Sequence, residues 1–284
     1  MSALAAEHDD VLPGSEDFDL RDHMDGIAAF IAGPANVILQ LGHPAVGHGV
    51  VTKPRPEGSV MKHPFKRLRT TFSYLAVAMI GDEQDTRAMR EAVNFSHRGV
   101  RSDPGSTPTF NAFDPRLQLW VAGCIYWGYV DSLEKLRGPI DDQTKDRIYR
   151  ESVRFGTTLQ MPAEMWPATR SEFDAYFQAG LDEIHFDPIV RDYLLKLLRF
   201  KQLHPVMRLG AGQFMTWSNT GFLPPEVRRA LGLEWSGRDD LLFTLLMRSI
   251  GFGYKVLPRP ARNFPFNFFL WDVRRRVRTG RPIV

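Results

Sequence analysis

Four residues of this chain, Arg67, Thr71, His97 and Arg101, have the types and spacing to do chemistry. Within Asp82–Arg101 (DEQDTRAMREAVNFSHRGVR), Met89, Val93, His97 and Val100 recur at helical spacing and form an apolar stripe on a charged segment. An imidazole on such a stripe must find a hydrogen-bond partner or a metal, because an unpaired buried polar group is costly. Arg101, one turn on and on the same predicted face, calls for an anion. A nitrogen for iron and a cation for a carboxylate, both facing inward, suit an iron porphyrin with its propionates. The same periodicity also describes an ordinary core histidine near a helix end, and that reading stays open here.

Arg67 and Thr71 stand four apart on a mostly apolar segment, so a helix projects them from one face. Facing inward, they would orient a propionate and a bound oxygen molecule or water. Facing outward, they are a solvated arginine and a threonine bonded back to its own helix. His43, in Gly42-His43-Pro44, follows the apolar run Val37-Ile38-Leu39 and is a further inward candidate. His48 and His63 read as solvent-facing loop residues, and His204-Pro205 as a helix end.

Other chemistries lack their residues. No His-Glu-x-x-His spacing, Walker loop, dinucleotide-binding glycine pattern or G-x-S-x-G elbow occurs. Paired carboxylates such as Asp141-Asp142 and Asp239-Asp240 fall at predicted helix starts, where they answer the helix dipole. The lone Cys124 excludes an internal disulfide and sits in an uncharged run, as a buried thiol does.

The elements that must position these side chains are helices. Periodicity and stop signals predict helices over Arg21–Gly42 with an interruption at Gly33-Pro34, Phe65–Ile80, Asp82–Arg101 and Leu117–Leu136. More follow from Asp142 to about Leu159, from about Thr169 to Gly180 and from Asp187 to Phe200. Past Pro205 the pattern is less regular, with helices near 224–232 and 238–250. Pro54, Pro56 and Pro64 make residues 52–64 a loop. No alternating strand pattern stands out, so the expected class is all-α, with residues 1–20 a flexible leader and 21–284 a single helical domain.

At 43% hydrophobic and 24% charged residues, the chain has the profile of a globular protein able to bury a large core. A net charge of +3, without a basic run interleaved with aromatics except near the C-terminus, does not call for nucleic acid. The acidic, polar start MSALAAEHDDVLPGSEDFDL is the reverse of a secretory signal, and no run reaches the length of a membrane span. A cytoplasmic location is expected. The C-terminal stretch FPFNFFLWDVRRRVRTGR, aromatic and then basic, leaves peripheral contact with an anionic membrane open.

Taken in order, several short motifs resemble one family. They begin with Gly33-Pro34-Ala35-Asn36-Val37-Ile38-Leu39-Gln40-Leu41-Gly42-His43-Pro44-Ala45-Val46, then Arg67-Leu68-Arg69-Thr70-Thr71-Phe72, Ile80-Gly81-Asp82, and His97 with Val100-Arg101. Asp114-Pro115, Leu119-Trp120-Val121, Val130-Asp131-Ser132, Met161-Pro162 and Trp166-Pro167-Ala168-Thr169 with Phe173 and Tyr176 follow. This set is similar to the MpaB-type oxygenases, which include the rubber oxygenases, over roughly residues 26–200.

The resemblance implies a helical fold with a globin-like core around one haem b. It places the iron ligand at His97, a neighbouring arginine at Arg101, and pocket groups at Arg67 and Thr71. It further implies dioxygen and an apolar, unsaturated substrate such as an isoprenoid or lipid-like chain. Two positions depart from the family pattern: Ala122 stands where many relatives have histidine, and Ser102 where a glycine is usual. No carboxylate takes the place of the pocket base of the rubber-cleaving enzymes, Glu57 being only a neighbour in sequence. A non-catalytic haem carrier or sensor needs the same His97, and a metal-free helical interaction protein needs none of these groups.

Overall fold

The computed structural model describes residues 18–53 and 59–284. The expected leader thus lies mostly outside the described residues, and Glu57 wholly so. The fold is all-α, with no strand among the described residues beyond an isolated bridge between Arg101 and Asn111.

The helix α5 (Pro115–Arg137) runs through the middle, started by an Asp114 side chain that accepts the Arg116 N–H. Its residues are apolar nearly all round, and α1 (Gly26–Gln40), α6 (Asp142–Ser152), α7 (Arg154–Thr157), α8 (Arg170–Asp182) and α12 (Gly237–Lys255) pack on it. Two of these contacts need glycine. A Cβ on Gly251 would stand 1.9 Å from the Leu136 carbonyl, and one on Gly128 would stand 2.2 Å from Asn36 Nδ2. Asn36 in turn donates to the Cys124 carbonyl at 2.6 Å, tying α1 to α5.

Helix α1 does not break at Pro34. It begins at Gly26 and continues to Gln40 with Pro34 inside it. A proline interrupts the backbone ladder of a helix. Here the Ala35 N–H next to it donates to Asn219 Oδ1 at 2.9 Å, an acceptor supplied by α10 (Pro205–Phe222). Helix α10 is itself unexpected, since three glycines and a Thr-Trp-Ser-Asn-Thr run are poor helix formers. Packing overrides propensity: Ser218, Asn219 and Thr220 are buried against the core. The small segment after Gly42 is likewise a helix, α2 (Pro44–Thr52), opened by a proline at its first turn.

Helices α3 (Pro64–Ile80) and α4 (Glu83–His97) form a hairpin joined by the two residues Gly81-Asp82. Asp82 starts α4 through a reciprocal capping box with Asp85. Three clamps hold this hairpin. Arg154 donates to the Gly81 carbonyl at 2.6 Å, and the Tyr74 hydroxyl donates to the Phe155 carbonyl at 2.6 Å. Arg274, on α14 (Phe266–Arg278), reaches Asp85 at 2.7 Å and Asp82 at 3.0 Å.

The remaining helices are α9 (Pro188–Leu198), α11 (Pro225–Leu231) and α13 (Arg259–Arg262). Among the described residues no single helix is long and apolar enough to cross a membrane. Helices α1 and α2 together reach that length and apolarity, but they bend by 103° at their junction.

Candidate functional site

The α3–α4 hairpin sets the height of the candidate residues. Arg67 lies fourteen residues before Gly81, and His97 lies fifteen after Asp82. At ~1.5 Å per residue, each lies about 21–23 Å along its own helix from that junction. Thr71 is one turn deeper and half-buried.

On α4 the stripe Asp85–Met89–Val93 is buried, and His97, four residues on, continues it half-buried. The chain after His97 folds back across it. Ala112 N–H donates to the Val100 carbonyl at 2.9 Å, Ser102 N–H to the Phe110 carbonyl at 2.9 Å, and the Phe113 ring meets the His97 ring edge-on at 6.2 Å. Ser102 adds its hydroxyl as acceptor for the Phe110 N–H at 3.1 Å, a bond that a glycine there could not make.

Arg101 is not where helical spacing put it. The helix ends at His97, Arg98 is its C-cap, and Gly99 follows with φ +84°. Arg101 thus belongs to the returning loop, exposed and bridged to Asn111, and shares no helix face with His97. The periodic pattern ran on through Val100 because a four-residue step does not register a chain reversal after a glycine.

Arg67 is exposed, while the protein atoms around it push its guanidinium below its ordinary value, against the opposing pull of the Tyr193 phenol on α9. Tyr193, partly buried, is a polar neighbour with little signal in the sequence, where it is a single phenol on α9.

His43 caps the start of α2 backbone-wise, half-buried, with its ring 6.0 Å from that of Trp120. Burial lowers its pKa, and Glu183 and Asp114 only partly offset this. Its Nδ1 is buried and makes no hydrogen bond. Asp114 is next to Phe113, so the His43 and His97 imidazoles flank the same entry into α5. Ala122 is fully buried in the core.

Among the described residues no three His, Cys, Asp or Glu side chains gather as a metal-binding group. A bare ion held by protein alone does not fit this donor set. An iron that brings four nitrogens with its porphyrin and asks the protein for one imidazole does fit it. A surface cleft open to solvent is bordered by Trp127, Asp131, Glu134, Lys145, Arg170 and Asp174. Its cations are already neutralised, Lys145 by Glu134 at 2.7 Å and Arg170 by Asp146 at 2.5 Å and Asp142 at 3.1 Å.

Residues 20–252 match the family model described as "ER-bound oxygenase mpaB/B'/Rubber oxygenase, catalytic domain". The chain belongs to this family. The match runs on through α10 and most of α12, well past the point where short motifs stop being recognisable. Uncharacterized proteins of Mycobacterium bovis and of Mycobacterium tuberculosis are each 46% identical over 250 residues, 88% of this chain and 98% of theirs. No solved structure matches the chain. Its family places the protein among oxidoreductases of the oxygenase kind.

Proposed function

We propose that the protein is a haem b-dependent oxygenase acting with dioxygen on an apolar, unsaturated isoprenoid or lipid-like substrate. The observation that carries this reading is His97, an imidazole that continues the buried stripe of α4 at the end of that helix, against the Phe113 ring, in a chain of the oxygenase family. The core around that end is a candidate for the globin-like haem cradle of the family.

In this reading His97 would hold the iron from the end of α4, with its ring packed against that of Phe113. A bound haem supplies the redox centre that lets dioxygen react with a carbon–carbon double bond. Arg67 and Thr71, one turn apart on α3, would present a charge and a hydroxyl to the same space and orient the polar partner there. His43, whose burial favours the neutral imidazole, would offer its buried Nδ1 as a hydrogen-bonding atom to the group. Arg101, exposed on the returning loop, would be left to pair with a propionate.

The test is the visible spectrum of protein purified from haem-replete cells, followed by oxygen uptake with squalene or a short polyisoprene. A Soret band lost in His97→Ala, together with substrate-dependent uptake, supports the proposal. A colourless protein that fails to reconstitute refutes it. A Soret band without uptake on any unsaturated apolar compound turns the reading to a haem carrier or sensor.

A further inference from the structure

Charge and apolar surface are distributed unevenly along this chain. Residues 241–284 hold nine basic side chains against the single acidic Asp272, a net +8, whereas residues 1–240 sum to −5. The same 44 residues expose Phe252, Val256, Phe264, Phe268, Trp271 and Val277, among other large hydrophobic side chains.

The two properties meet on one face of α14. Its inner side, Phe266, Leu270 and Val273, is buried, and Phe266 and Phe269 pack on Phe72 of α3. On the outer side, Phe268, Trp271, Arg275 and Arg278 follow at helical spacing, and Phe264 precedes them. Their side chains form a continuous ladder: Phe264 to Phe268 at 6.3 Å, Phe268 to Trp271 at 5.9 Å, and the Arg275 guanidinium over Trp271 at 5.5 Å. Phe264, Phe268 and Trp271 are 56%, 46% and 49% exposed, too much for side chains that serve the core.

The arginines of this segment divide by task. Arg274 is engaged with Asp82 and Asp85, Arg276 with Asp272, and Arg259 with Asp19 and Asp22. Arg275, Arg278 and Arg281 have no acidic partner among the described residues. Three aromatic rings followed along one helix face by uncompensated guanidinium groups match the layering of a membrane interface, rings among the acyl boundary and cations at the anionic headgroups. A second copy of the chain is a poor occupant, since it would bring one net +8 segment against another.

We infer that the outer face of α14, from Phe264 to Arg278, docks the protein on an anionic lipid surface as a peripheral, non-spanning contact. The inference is independent of the haem reading, because no candidate site residue lies on this face. The experiment is flotation of the full-length protein with phosphatidylcholine vesicles containing phosphatidylglycerol, and with phosphatidylcholine vesicles alone. The wild type should float with the anionic vesicles, less with the neutral ones, and less at high salt. Phe268→Ser with Trp271→Ser, and separately Arg275→Gln with Arg278→Gln, should each weaken binding, by about fivefold per arginine removed. All four positions are exposed, and an unchanged circular dichroism spectrum verifies the fold. Absence of wild-type flotation, or undiminished flotation of both double variants, overturns the inference. A dimer by sedimentation that the aromatic double variant dissociates, without vesicle binding, overturns it in favour of self-association.

Discussion

Replacing Asn219 with alanine should cost about 2–4 kcal/mol, more than its place on a glycine-rich helix suggests. Asn219 is fully buried, and its Oδ1 takes the Ala35 N–H that sits beside Pro34, while its Nδ2 donates to the Met215 carbonyl at 2.9 Å. The Met215 carbonyl is four residues back along α10, so the substitution acts chiefly by removing the acceptor that the Ala35 N–H finds outside its own helix. One buried orphan donor costs about 1–3 kcal/mol. The void left by the amide, roughly 30–40 Å³ at ~24 cal/mol per Å³, adds about 1 kcal/mol. The urea midpoint should then fall by about 1 M at an m-value near 3 kcal/mol/M. Asn219→Asp sharpens the test. A carboxylate still accepts from Ala35 but turns a lone pair on the Met215 carbonyl, and burial raises its pKa above the unfolded value near 3.9. A raised pKa gives stability that is fully present below the unfolded value and lost as pH rises, so the aspartate variant should trail wild type most at pH 7 and recover towards pH 4. A loss below about 0.5 kcal/mol for Asn219→Ala, the level of a surface change, would refute the idea that α10 completes the hydrogen bonding of α1.

At the candidate site, Arg67→Ala with Thr71→Ala should depress oxygen uptake by about two orders of magnitude while leaving the Soret titration nearly intact, since such groups act mainly on the transition state; equal losses in both assays would count against a pocket role. Arg101→Ala should speed haem transfer to apomyoglobin only severalfold, as expected of an exposed partner outside the helix, and a rate as fast as that of His97→Ala would contradict its loop position. Gly251→Ala should destabilise by about 1–3 kcal/mol in thermal melts, because its Cβ would meet the Leu136 carbonyl at 1.9 Å. Burial lowers the pKa of His43 from 6.5, so the folded state binds its proton less readily than the unfolded chain. The stabilising effect is neutral above 6.5 and turns into a loss as pH falls towards the folded value. His43→Gln should therefore flatten the acid limb of a pH–stability profile, and an unchanged slope would remove His43 from that account.

The helices around α5 and the α3–α4 hairpin were legible because their signals are local: apolar spacing, Asp82 and Asp114 as caps, Gly81 and Gly138 as stops. The helices that carry His97 and Thr71 were legible for the same reason. Arg101 was misplaced by a helix that stops at His97, where Gly99 turns the chain with a positive φ that spacing alone does not register. Helix α10 and the continuity of α1 through Pro34 were hidden because each depends on the other, through a bond between residues 184 positions apart. Tyr193 escaped notice for a like reason, since only the fold carries it to Arg67.

The Gly81-Asp82 junction works as a rivet. Arg154 grips it from α7 and Arg274 from α14, so three stretches far apart in the sequence are fastened at one point. Helix α14 therefore has a different duty on each side, one towards the root of α4 and one towards the surroundings. A chain cut short before Arg274 would lose the second grip and loosen the start of the helix whose other end carries His97.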